Sequence, residues 1–148
     1  MSALLLLNGP NLDRLGEREP ELYGRETLAD ITDRLAAQVK AAGHRFEALQ
    51  TNAEHEMIER IHAARGRSDG IVINPGAWGH TSLALADALA AAEVPYIEVH
   101  ISNVFARGGR RAELLLAAGA AGVIVGCGTR GYDLAVAAML ARLAEPGR

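Results

Sequence analysis

The chain has 148 residues, 49% of them hydrophobic and 22% charged, with a formal net charge of -3. That balance suits one soluble globular domain with a sizeable core, and gives no electrostatic reason to expect nucleic acid or an anionic membrane as a partner. A single cysteine, Cys127, excludes an intrachain disulfide and a cysteine-rich metal site, and the opening run Ala3–Leu7 is too short for a secretory core or a bilayer span, so a reduced, cytoplasmic setting is expected.

Apolar runs of strand length alternate with helical patterns along the chain. ALLLLN (3–8) reads as a strand buried on both faces. A long connection, NLDRLGEREPELYGRET, follows. Helical spacing of Leu28, Ile31, Leu35 and Val39 predicts a helix in 27–43, with Thr27 and Asp30 suited to its start and Gly43 to its stop. RFEALQ (45–50) is the second strand, and AEHEMIERIHAAR (53–65) a helix capped by Asn52. GIVINP, a helix through LALADALAAAE, PYIEVHI, a short helical piece near 111–118, GVIVG, and a last helix from Gly131 to about Leu143 complete the series. Five strands alternating with helices predict a parallel sheet covered on both faces, a single α/β domain over 1–148.

In open parallel sheets ligands bind at the carboxyl ends of the strands, near the reversal of strand order. Those ends read Asn8-Gly9-Pro10-Asn11, Gln50-Thr51-Asn52, Asn74-Pro75-Gly76, Glu98-Val99-His100-Ile101-Ser102-Asn103, and a glycine cluster. Caps and turns account for many of the amides. They do not account for Glu98 and His100, which alternate where a buried parallel strand normally holds Val or Ile.

Most familiar chemistries fail on spacing. Gly126, Gly128 and Gly131 spell a dinucleotide fingerprint, but such a turn belongs after the first strand of its unit, and only 17 residues follow Gly131. These glycines are read instead as a tight strand-to-helix turn with close backbone approach. HEMIERIH has Glu59, not His, at the position a zinc-protease helix requires, so His55 and His62 are read as exposed; His44 is equally bland. No dense cluster supports a metal at His80 and His100. A phosphoryl receiver would need an Asp where Asn74 stands and a lysine near Cys127, a flavin site a hydroxyl-rich loop where NGPNL stands, and a serine nucleophile its G-x-S-x-G turn. Imine chemistry would rest on Lys40, the one lysine among 15 basic residues, placed mid-helix on a polar stripe.

What remains is cofactor-free acid–base chemistry. Loops as long as the one after the first strand are often lids, and this one, about 12–26, carries Arg14, Arg18, Arg25 and Tyr23. A phenol is a poor base at neutral pH, but guanidinium neighbours within a few Å favour its ionised form. From the loop alone, an ordinary surface tyrosine packed on arginine stays open beside an activated base.

NGPNL (8–12), GEREPELYG (16–24), NPGAWGHTS (74–82), the following Asp87, IEVHISN (97–103) and GVIVGCGTRGY (122–132) together resemble type II dehydroquinase, in family order and spacing over nearly the whole chain. The resemblance implies a flavodoxin-like, three-layer α/β/α fold with a five-stranded parallel sheet, a cytoplasmic homo-oligomer (a trimer-based homododecamer), no cofactor, and anti elimination of water from 3-dehydroquinate to 3-dehydroshikimate. It implies Tyr23 as base, Arg18 as the group holding that phenol ionised, and Asn11 and Asn74 as amides steadying the enolate. His100 is implied as general acid, with Glu98 orienting its ring. Asn74, His80, Asp87, the Ile101–Ser102 backbone and Arg111 match positions that hold substrate hydroxyls and carboxylate.

One stretch departs from the family pattern. VFARGGRRAELLLAAGAAG keeps Arg107 and Arg111, but Gly108, Gly109 and Arg110 replace the middle, so the carboxylate clamp falls to either Arg110 or Arg111. Trp78 and Gly79 stand where the family varies. Two alternatives therefore stay open: a divergent paralogue dehydrating a related polyol carboxylate, and a non-catalytic small-carboxylate-binding module. Whether the role is aromatic biosynthesis or quinate breakdown is left open too, since both use the same elimination.

Overall fold

The structure, a computed structural model, describes residues 1–17 and 19–145; Arg18 and the side chains of Leu22 and Tyr23 lie outside the described residues. Five parallel strands, β1 (Ala3–Asn8), β2 (Arg45–Gln50), β3 (Gly70–Asn74), β4 (Tyr96–His100) and β5 (Gly122–Val125), form one sheet in the order β2-β1-β3-β4-β5. This is the flavodoxin-like order. The chain runs outward from β1 to β2, then returns past β1 to start β3, so the reversal falls between the ends of β1 and β3. The residues paired there are Asn8 and Asn74.

The helices are α1 (Pro20–Tyr23), α2 (Leu28–Ala41), α3 (Glu54–Ala64), α4 (Leu83–Ala92), α5 (Val104–Arg107) and α6 (Arg130–Ala144). Side chains alternate across a strand, and the two faces are covered by different helices. Leu4 and Leu6 of β1 with Ile97 and Val99 of β4 pack under α2 and α6. Leu5 and Leu7 with Ile71, Ile73 and Tyr96 pack under α3 and α4. Glu98 and His100 follow the parity of Tyr96 and so belong to the α3/α4 face. Every residue of β1, β3 and β4 is buried, whereas β2 and β5 are edges and partly open.

Local chemistry explains several boundaries. The Thr27 hydroxyl accepts from the Asp30 N–H at 3.2 Å while the Asp30 carboxylate accepts from the Thr27 N–H at 3.1 Å, the reciprocal cap expected for α2. Gly43 ends that helix in the left-handed region at φ +84°. The expected cap of α3 by Asn52 is not found. The N-cap position falls to Ala53, which offers no side-chain cap, and Thr51 braces the turn before it: its hydroxyl accepts from the Ala53 N–H at 3.0 Å and donates to Glu56 at 2.6 Å. Asn52 turns the other way, its oxygen accepting from the Asn11 N–H at 2.9 Å and from Gln50 at 3.2 Å. The helical piece expected near 111–118 is two short 3-10 turns, Gly109–Ala112 and Ala117–Gly119, with buried Leu116 between them. In the long connection, Leu12 and Leu15 are buried in the core, which anchors its first turn.

Candidate active site

At the carboxyl ends of β1, β3 and β4 lies a cavity of about 140 Å³, at the reversal of strand order. From the β1 turn it is lined by Pro10, Asn11 and Leu12, and from the β3 turn by Asn74, Gly76, Ala77 and His80. From β4 and beyond come His100, Ile101, Ser102, Val104, Arg107 and Arg111. Gly9 is what brings the first two turns together: a Cβ there would stand 2.4 Å from the Pro75 carbonyl oxygen, and its N–H donates to the Asn74 carbonyl at 2.8 Å. Asn11 adopts φ +69°, a left-handed conformation that asparagine tolerates better than most residues. Gln50 and Asn52 brace this turn from outside and do not line the cavity: Gln50 donates to the Gly9 carbonyl at 3.1 Å.

His100 and Glu98 form a buried pair with Nε2 and Oε2 2.5 Å apart. Glu98 engages Nε2 of the ring, so Nδ1 is the ring nitrogen left for a ligand. Glu98 is fully buried and does not itself line the cavity. The neighbouring His80 ring lies 5.5 Å away, centroid to centroid, and its Nδ1 donates to the Glu113 carbonyl at 2.8 Å, leaving Nε2 as its open nitrogen. The divergent segment thus orients His80, and the Leu115 N–H ties it again to the Gly79 carbonyl at 2.9 Å.

Cations dominate the ionisable lining. Arg107 donates to the Ser102 hydroxyl at 3.3 Å, while Arg111 makes no hydrogen bond or ion pair among the described residues. No Asp or Glu stands among the described lining residues. The two candidate clamp residues differ in position: Arg111 lines the cavity, whereas Arg110 reaches only an adjoining shelf that it shares with Arg111, Ala77, His80 and Thr81.

In the glycine cluster, two of the backbone N–H groups are already engaged inside the protein. Gly126 donates to the His100 carbonyl at 3.1 Å and Gly128 to the Ile101 carbonyl at 3.0 Å, with φ of +84° and +64°. It is a tight turn that holds the loop after β4. The structure therefore gathers Asn11, Asn74, His80, His100, Ile101, Ser102 and Arg111 around one cavity, with Glu98 behind His100. Asp87 is exposed on α4 and is not among the residues lining it. Arg18 and the Tyr23 side chain lie outside the described residues. Arg107 and Tyr132 received no role from the sequence. Arg107 could have been found as the first arginine of the ARGGRR stretch, whereas Tyr132 sits on an apolar stripe of α6 and reads as core.

A flavodoxin-like sheet with a histidine–carboxylate pair, two amides and Arg111 at its switch point defines an α/β protein with acid–base groups and a cation around one small cavity. Residues 2–140 match the family described as Dehydroquinase class II. Over 144 residues the chain is 59% identical to the 3-dehydroquinate dehydratase of Alkalilimnicola ehrlichii, covering 97% of this chain and 95% of that one. It is 54% identical to that of Marinobacter nauticus, covering 97% and 99%. The crystal structure of the type II dehydroquinase from Propionibacterium acnes superposes with a TM-score of 0.90 at 43% identity, covering 95% of this chain and 97% of that one. The chain belongs to the class II dehydroquinase family.

Proposed function

We propose that this chain is a hydro-lyase that eliminates water from 3-dehydroquinate to give 3-dehydroshikimate through an enolate. The observation that carries the reading is the buried Glu98–His100 pair opening onto a cavity lined by Asn11, Asn74 and Arg111. Tyr23 removes the proton from the carbon beside the ketone, and the Arg18 guanidinium favours its ionised form. The electron pair moves onto the ketone oxygen, where preorganised N–H donors from Asn11 and Asn74 lower the barrier. Collapse of the enolate expels the hydroxyl, which takes the proton from His100 Nδ1 and leaves as water; Glu98, bound to Nε2, keeps the ring in place while this happens. Arg111 holds the substrate carboxylate, for which its planar fork suits better than an ammonium group. His80, Ile101 and Ser102 hold the hydroxyls. Asp87 can serve substrate only from a neighbouring copy, given its exposed place on α4.

No cofactor takes part in this scheme. With Leu12 and Leu15 fixed in the core, the closing part of the lid is the stretch beyond them, up to about residue 26. The working form is a cytoplasmic, trimer-based homododecamer.

The test is spectroscopic. Purified protein mixed with 3-dehydroquinate is expected to produce the ultraviolet absorbance of the conjugated enone, and Tyr23→Phe and His100→Ala are each expected to lower kcat by about 10²–10⁴-fold. No absorbance at high protein concentration, or full activity in Tyr23→Phe, overturns the reading.

A further inference from the structure

Tyr132 stands in the first turn of α6, is fully buried, and touches nothing outside the protein. Its hydroxyl donates to Asn8 Oδ1 at 2.6 Å and accepts from Asn74 Nδ2 at 2.8 Å. Asn74 Oδ1 in turn accepts from the Gly76 N–H at 3.1 Å. These three bonds fix which way the Asn74 amide faces. If it were flipped, its oxygen would meet a phenol oxygen whose only hydrogen is on Asn8, and its NH2 would meet the Gly76 N–H. Both contacts are repulsive. In the observed orientation the oxygen and one amide hydrogen are bound inside the protein, and the second hydrogen is left for the cavity that Asn74 lines.

We propose that Tyr132 is a positioning residue for the elimination: its hydroxyl, bridging Asn8 and Asn74, locks the Asn74 carboxamide with one N–H aimed into the cavity. The inference rests on the reading that this N–H meets the enolate oxygen. Burial raises the hydroxyl of Tyr132 well above the usual tyrosine range, against a smaller opposing effect of the Asn74 bond, so it keeps its hydrogen at every pH at which the protein works. The device requires a neutral phenol, because a phenolate could no longer donate to Asn8. Phenylalanine would keep the ring in the core and remove only the lock.

Two measurements test this. In Tyr132→Phe, kcat on 3-dehydroquinate is expected to fall about tenfold with KM within about twofold, a fraction of the roughly 10²–10³-fold lost when an oxyanion donor is removed altogether. In an Asn74→Ala background the same substitution is expected to change kcat by less than about twofold, since it acts only through Asn74. An unchanged kcat in the single variant, or a full additional loss in the double variant, overturns the proposal. The second readout needs no turnover: NMR of the Asn74 side-chain amide, assigned by its disappearance in Asn74→Ala. One of its hydrogens is expected to exchange slowly in the wild type, and that protection to vanish in Tyr132→Phe. Free-amide exchange of both hydrogens in the wild type overturns the proposal whether or not Tyr132→Phe folds. A protected hydrogen in a protein that does not dehydrate 3-dehydroquinate overturns the functional reading and keeps the lock.

Discussion

Two adjacent arginines show how finely position decides role. Arg111 opens onto the cavity without an internal counter-ion among the described residues, and Arg110 projects onto the shelf beside it. A charge-assisted, bidentate contact with a carboxylate contributes about 1.5–3 kcal/mol. Arg111→Ala is therefore expected to raise KM for 3-dehydroquinate by about 10–100-fold and to leave kcat within a few-fold, while Arg110→Ala stays within about twofold on both, as steady-state kinetics will show. The sequence left these two undivided because Gly108 and Gly109, both at positive φ, erase the local pattern that would fix which way each side chain turns. Glu98 and His100 were legible for the opposite reason, since polar residues in an otherwise apolar strand break a rule. Tyr132 was not legible at all. A tyrosine on a buried stripe looks like packing, and its partner Asn8 is 124 residues away along the chain.

Among the elements, α2 and α6 cover one face of the sheet and are joined by more than apolar contact. Arg34 of α2 donates through Nε and Nη2 to the Asp133 carboxylate of α6 at 2.9 Å each, and also binds Glu26 just before α2. Burial alone would raise the carboxyl of Asp133, but the Arg34 guanidinium outweighs it and holds the group below the usual carboxylate range. A depressed folded value means that this stabilisation is present above the ordinary carboxylate pKa of about 3.9 and is lost as pH falls below it. Asp133→Asn is expected to cost about 1–2 kcal/mol near neutrality and to unfold with a shallower loss of stability between about pH 4 and 2, measured by chemical denaturation across that range. At this scale the sequence was most readable where a signal is local, as with the Thr27–Asp30 cap. It failed at the start of α3: Asn52 suits a cap by composition, but the Asn11 N–H and the Gln50 amide draw its oxygen away, and the helix starts after Ala53 with no side-chain cap.

For the whole molecule, alternation of runs was enough to predict a parallel sheet with helices on both faces, because each buried strand needs apolar cover twice over. The reversal between β1 and β3 followed from no single residue, yet it decides where the cavity opens. Both sheet edges, β2 and β5, remain partly open in the single chain, and the proposed assembly is expected to appear in light scattering as a particle of about twelve times 15.6 kDa. A mass of one to three chains would refute the dodecamer. The turn at Gly126 and Gly128, whose N–H groups seize the carbonyls of His100 and Ile101, and Tyr132 just after it, all belong to the final crossover of the fold. A growing polypeptide thus owns the side chains proposed to react long before it can aim them. Chemistry arrives late, when the closing strand and helix have emerged, and a fragment ending short of residue 122 would carry the tools of the reaction with no bench to clamp them.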